Sequence, residues 1–455
     1  MSESKSARLT TGSIRGHLVS QTAPMIVGIA AIMSIGIIDA YFIGQLGSAE
    51  LAAVSFIFPV TQALSSLGVG VMAGIASVVS RALGRGDEDH ARGLANLGFL
   101  LAAGVGVALA AILLLVRQPL FQLMQADPEL LPLVDAYMFP YALGFAALPA
   151  MMGVNGALRA QGAAKRSMAI LITMAVVNWI LDPILITGAF GFEGFGIAGA
   201  AYATIVSWIV SAVVGFAMLQ TSEITFAPGD IRHCNVKRDT GALTRVAGPA
   251  AFSNSINPVG LSILTAFVAS AGQDAVAAFG AGGRVQSFAI VPLLGLSSSI
   301  GAIVGQNYGA DRVDRARAAI RWAGGFSIVY GLAVAALIVM LREPIAGLFS
   351  DNAAVREELA RFILISAWGY GGFGVFIIVN GAMNAIDRAG LALGQSIARV
   401  ALVMIPFAWF LRPQWGADAI YASELAANIV TGLAAALLAW WVMREPAGKV
   451  LPSSA

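Results

Sequence analysis

The sequence has 455 residues, of which 58% are apolar and only 11% charged, with 27 Lys and Arg against 25 Asp and Glu for a net charge of +2. A soluble domain carries roughly 25% charged residues, so this chain could not cover a water-facing surface. Composition therefore excludes a soluble fold, makes the lipid bilayer its solvent, and leaves no nucleic-acid partner to expect.

Twelve apolar runs follow in chain order, at about 17–46, 51–82, 91–117, 130–160, 165–189, 196–221, 241–271, 275–307, 315–341, 355–385, 389–411 and 416–443. They are long and unbroken rather than alternating, which predicts an all-α integral membrane protein with twelve transmembrane helices and excludes a β-barrel. The first run is too long for a signal-peptide core and stays as a span. The longest inner loop, about 222–240, links the sixth run to the seventh.

Basic residues orient the spans. With a cytoplasmic N-terminus, 21 of the 27 fall on inner segments, among them Lys5, Arg85, Arg166, Arg238, Arg315, Arg399 and Lys449. Arg117, Arg342, Arg356, Arg361 and Arg412 fall outside, and Arg284 lies within a span. Both termini are thus expected in the cytoplasm, with the chain in the inner membrane and acting as a monomer.

The two halves repeat at an offset of 225 residues: Pro24 with Pro249, Gly47 with Gly272, Gly84 with Gly309, Ala91-Arg92 with Ala316-Arg317, and Asn155-Gly156-Ala157 with Asn380-Gly381-Ala382. Each half holds six spans, so both enter the membrane from the same side. The expectation is two six-helix lobes related by a pseudo-two-fold axis along the membrane normal. Residues 1–221 form the N-terminal lobe, 222–240 a cytoplasmic linker and 241–455 the C-terminal lobe. A central cleft between rocking lobes would give alternating access.

Catalytic motifs are missing. No GxxxxGK[ST], GxSxG or HExxH occurs, so ATP hydrolysis and the familiar hydrolases are excluded and no enzyme is expected. Cys234 is the sole cysteine, so no intrachain disulfide can form. His17, His90 and His233 show no ligand spacing, so no metal centre and no cofactor are expected.

Six segments stand out: Asp39-Ala-Tyr-Phe-Ile-Gly-Gln-Leu-Gly47, Ser80-Arg-Ala-Leu-Gly84-Arg-Gly86, Val304-Gly-Gln-Asn-Tyr-Gly309, Asn155-Gly-Ala-Leu-Arg159-Ala-Gln-Gly162, Asn178-Trp-Ile-Leu-Asp182-Pro183 and Gly196-Ile-Ala-Gly199-Ala-Ala-Tyr-Ala-Thr204. In these segments the chain resembles the multidrug and toxic compound extrusion (MATE) family of secondary transporters. The resemblance implies export of small organic, often cationic and lipophilic compounds against inward H⁺ or Na⁺. Some branches of that family carry an acidic residue midway along the seventh span. Here that stretch, Pro249 to Pro258 and including Asn257, is uncharged, which shifts attention to the N-terminal lobe.

A carboxylate within a span costs several kcal/mol and demands a reason. Asp39 lies about seven residues from the outer end of its span, roughly 10 Å deep at 1.5 Å per residue. Asp182 and Thr204 lie about eight residues in, roughly 12 Å deep. Asn178 stands four residues before Asp182 and shares its helix face. Pro183 leaves the carbonyl of Trp179 without its helical partner and supplies a hinge. Together these residues predict an oxygen-rich site for one shared proton or a Na⁺ ion. Packing glue between helices would be the plainer reading, but glue does not require charge.

In the C-terminal lobe, Arg284 and Glu424 are expected at related depth, either as a salt bridge or, with Asn257, as cleft-lining groups. The alternative function is a flippase for a lipid-linked substrate. It calls for a strongly basic cleft, and only Arg284 reads as an arginine well inside a span.

Overall fold

The computed structural model describes residues 7–189 and 191–444; Lys5 and Lys449 lie outside them. It is helical throughout, with no strand among the described residues. The helices are α1 (Ile14–Gly44), α2 (Ser48–Gly84), α3 (Glu88–Leu123), α4 (Leu131–Gly144), α5 (Ala147–Ala160), α6 (Ala164–Asp182), α7 (Ile197–Gln220), α8 (Val236–Ala269), α9 (Gln273–Ala289), α10 (Val291–Gly309), α11 (Val313–Met340), α12 (Arg342–Phe349), α13 (Ala353–Ser366), α14 (Tyr370–Ala385), α15 (Ala389–Ile397), α16 (Ile405–Trp415) and α17 (Ala417–Val442).

Ten of the helical stretches are long and apolar enough to cross a membrane. Two bent pairs, α4 with α5 at 47° and α9 with α10 at 49°, complete the twelve spans. Large apolar side chains stand exposed along them, such as Leu115, Val213, Leu402 and Phe410. In water that exposure would be costly; against acyl chains it is the favourable state.

The sequence repeat is visible in the backbone. Gly47 and Gly272 open α2 and α9 with φ of 154° and 115°. Gly86 has φ 77° and its counterpart Asp311 has 57°; Gly162 has 72° and its counterpart Asp387 has 66°. Each half therefore turns at the same three places. Aspartate is among the few residues that enter the left-handed region at modest cost, so it can stand where the other half has glycine.

The chain divides into two compact units. The first holds residues 7–8 and Pro24–Ala251; the second holds Leu9–Ala23 and residues 252–444. These bounds differ from those expected at the 222–240 loop, for two reasons. The start of α8 packs into the first unit: a Cβ on Gly70 would lie 2.5 Å from the Ala247 carbonyl oxygen, so only glycine permits that approach. The segment before α1 is held by the second unit. Asn307 Nδ2 donates to the Leu9 carbonyl at 3.0 Å, Gln306 Oε1 accepts from the Leu9 N–H at 3.1 Å, and Arg312 donates to the Thr10 carbonyl at 2.7 Å.

Candidate functional site

In the first unit, α1, α4, α6 and α7 bring one polar group after another to a single place. Asp39 lies five residues before the end of α1, and Asp182 is the last residue of α6. Beyond it the chain takes a π-helical turn over Pro183–Thr187, started by a proline that has no N–H to donate. Thr187 Oγ1 closes this turn by donating to the Pro183 carbonyl at 2.9 Å. The first turn of α7 rests directly on it: a Cβ on Gly199 would lie 2.0 Å from the Leu185 carbonyl oxygen. Glycine at 199 thus sets how closely Thr204 approaches the end of α6.

The carboxylate of Asp39 faces the side chains of Asp182 and Asn178. Asn178 and Asp182 are completely buried. Both carboxylate oxygens of Asp182, both amide atoms of Asn178 and Oδ1 of Asp39 are buried without a hydrogen bond of normal geometry. So many unmet acceptors and donors in one spot would cost several kcal/mol in a merely structural cluster. A water, a proton or a small cation would each supply partners to such a cluster.

Tyr137 completes the site, facing the Thr204 side chain and both carboxylates. Tyr141 stacks on it with ring centroids 5.7 Å apart, and Trp208 of α7 meets Tyr141 edge-on at 5.3 Å. Sequence reasoning missed Tyr137. The available signal was the spacing Tyr137, Tyr141 and Phe145, which places three rings along one face of α4 and its continuation. Asp39, Asn178, Asp182 and Thr204 are therefore together, with Pro183 at the π turn beside them.

The second unit requires two corrections. Arg284 is exposed and makes no ion pair with Glu424. Glu424 is buried and accepts from Gln286 Nε2 at 3.4 Å. Gln286 lies two residues beyond Arg284, about 200° around the helix, so one facing Glu424 turns the other away. The buried arginine is instead Arg399, only 3% exposed, in a π-helical stretch over Ala398–Met404. It belongs inside the eleventh span, not among the inner-loop charges.

Arg399 donates to Oδ1 of Asn257 and, at 2.7 Å, to Oδ1 of Asn428. Its guanidinium lies 5.2 Å from the ring of Phe373 and interacts electrostatically with Glu424. Asn257 is thus a ligand of Arg399. The wider turn of the π stretch displaces Arg399 from regular helical periodicity, so spacing along the sequence did not locate it.

Twelve apolar spans in two repeats, with uncompensated carboxylates buried within spans, define a multi-pass membrane transporter rather than an enzyme. The MatE family model matches the chain twice, over residues 24–184 and 249–410. The two matches begin 225 residues apart, at the paired prolines. The chain belongs to the MATE family of multidrug efflux transporters.

Among its relatives is a protein named "FAD transporter" from Shewanella oneidensis, 32% identical over 431 residues and covering 95% of each chain. The "Multidrug export protein MepA" of Staphylococcus aureus (strain N315) is 26% identical over 427 residues, covering 92% of this chain and 91% of that one. The Vibrio cholerae MATE transporter VcmN in its bent form superposes with a TM-score of 0.88 at 29% identity, covering 95% of this chain and 97% of that one.

Proposed function

We propose that the protein exports small organic compounds across the bacterial inner membrane by antiport with H⁺ or Na⁺, bound at Asp39, Asp182, Asn178 and Thr204. It acts as a monomer with both termini in the cytoplasm. The observation that carries this reading is the set of buried, unpartnered oxygens shared by Asp39 and Asp182. Two carboxylates in a low-dielectric site cannot both ionise cheaply, so the pair holds a proton or a cation. Binding of that ion and binding of substrate then oppose each other, which is the coupling an antiporter needs.

The test is transport of a fluorescent organic cation into proteoliposomes, with pH and Na⁺ gradients imposed separately. Uptake driven by one gradient and lost in Asp39→Asn supports the reading. Equal uptake with no gradient overturns it.

A second reading of the substrate is favoured by Arg399. A buried guanidinium suits an anionic, phosphate-bearing cargo. The Shewanella relative named "FAD transporter" points to flavin dinucleotides. Flavin fluorescence trapped in the same proteoliposomes separates the two: accumulation of the dinucleotide but not of the organic cation selects the second.

A further inference from the structure

Three metal-ligating side chains distant in sequence meet in the first unit, away from the carboxylate pair. His90 lies in the first turn of α3, Cys234 in the link between α7 and α8, and Asp239 in the first turn of α8. One ligand atom from each lies within 4.8 Å of the other two. We infer that His90, Cys234 and Asp239 form a binding site for Zn²⁺ that clamps this link to the start of α3.

The dimensions fit. His90 Nε2 and Asp239 Oδ2 stand 3.0 Å apart. A tetrahedral zinc ion with nitrogen and oxygen arms of about 2.0–2.1 Å spans an edge of about 3.3 Å, so the pair opens by a few tenths of an ångström to admit the ion. A thiolate and a carboxylate neutralise its two positive charges, with the imidazole as third ligand and a fourth position left for solvent.

The surroundings hold these groups in place. The other ring nitrogen of His90, Nδ1, lies 3.8 Å from Asp87 Oδ2, on the side where a metal-bound histidine commonly meets a carboxylate. The Arg238 side chain donates to Oδ1 of Asp239 at 3.1 Å and the Asn235 N–H to Oδ2 at 3.0 Å, which fixes the carboxylate. Gly93, one turn after His90, lets the backbone of α3 approach the thiol: a Cβ there would lie 2.7 Å from Cys234 Sγ. The chain's only cysteine is thus seated against the turn that carries His90. No spacing rule could show this, because the ligands come from three separate segments.

The test uses full-length protein in detergent, stripped with chelator and titrated with Co²⁺. The expected result is one equivalent bound with a thiolate-to-cobalt charge-transfer band and intense tetrahedral d–d bands. Cys234→Ser should abolish the charge-transfer band. His90→Ala and Asp239→Asn should each weaken binding at least tenfold. Zn²⁺ should raise the melting temperature of the wild type but not of Cys234→Ser. Size-exclusion profiles check that the variants remain folded. Absence of the band in wild type, or equal Co²⁺ binding by all three variants, overturns the site and leaves a plain His90–Asp239 ion pair.

Discussion

Asp39 of α1 and Asp182 of α6 face each other in the first unit, with Asn178 one helical turn before Asp182. The two acids interact directly, and both carboxyl oxygens of Asp182 are buried without a hydrogen bond of normal geometry.

Removing the charge of either acid should stop coupling. Asp39→Asn, which mimics a protonated acid, should reduce efflux to background while the protein stays folded. Asp182→Asn should do nearly the same. Thr204→Ala removes no charge and should be milder. Substrate-induced proton release from purified protein gives a second readout: wild type should release protons and Asp39→Asn few or none. Normal efflux and normal release by that variant would place the coupling site elsewhere.

Tyr137 offers one hydroxyl to this site. Tyr137→Phe keeps the ring and its stacking on Tyr141, so stability should change by less than about 1.5 kcal/mol. Its effect should appear as an altered dependence of efflux on the driving ion. If Tyr137→Phe only lowers the melting temperature and leaves that dependence unchanged, the hydroxyl is structural.

Arg399 and Glu424 form the charged centre of the second unit. Arg399→Ala removes the cation that interacts with buried Glu424 and the donor shared by Asn257 and Asn428, so the melting temperature should fall. Glu424→Gln added to it should restore part of that loss. Thermal unfolding of the two single variants and the double variant forms the cycle, and simple additivity would show that the pair does not interact.

Glycine 199 allows α7 to lie on the π turn. Gly199→Ala should cost about 1–3 kcal/mol through overpacking and should displace Thr204 from Tyr137. Efflux should fall more than protein yield. Unchanged efflux would mean that this close approach does not set the geometry of the site.

The orientation is tested by labelling in a Cys234→Ser background. An impermeant thiol reagent added outside intact cells should modify a cysteine at Glu193 and spare one at Gly229. Both residues are exposed, so the opposite pattern would reverse the topology.

Much of this was legible in the amino-acid sequence. The low charge content and the long apolar runs determine a helical membrane protein, because the bilayer forces every backbone group to pair within its own helix. The 225-residue repeat determines two like halves, down to the turns at Gly47 and Gly272. Asp39 and Asp182 stood out because a carboxylate in a span is costly, and Asn178 because it shares the helix face of Asp182; the structure brings the three side chains together.

Tertiary structure alone decided the rest. Tyr137 joins the carboxylates through the packing of α4, not through its neighbours in the chain. Arg284 was expected beside Glu424, yet it is exposed and Gln286 reaches Glu424 instead, since rotation about the helix axis is fixed by side-chain packing. Arg399 is carried inward by a π stretch that has no simple spacing signature. The unit boundaries fall between Arg8 and Leu9, within α1 and within α8 rather than in the 222–240 loop; Gly70 admits the Ala247 carbonyl and Asn307 holds Leu9. Depth along a span follows from counting residues; the partner across the helix interface follows only from how the helices are turned and packed.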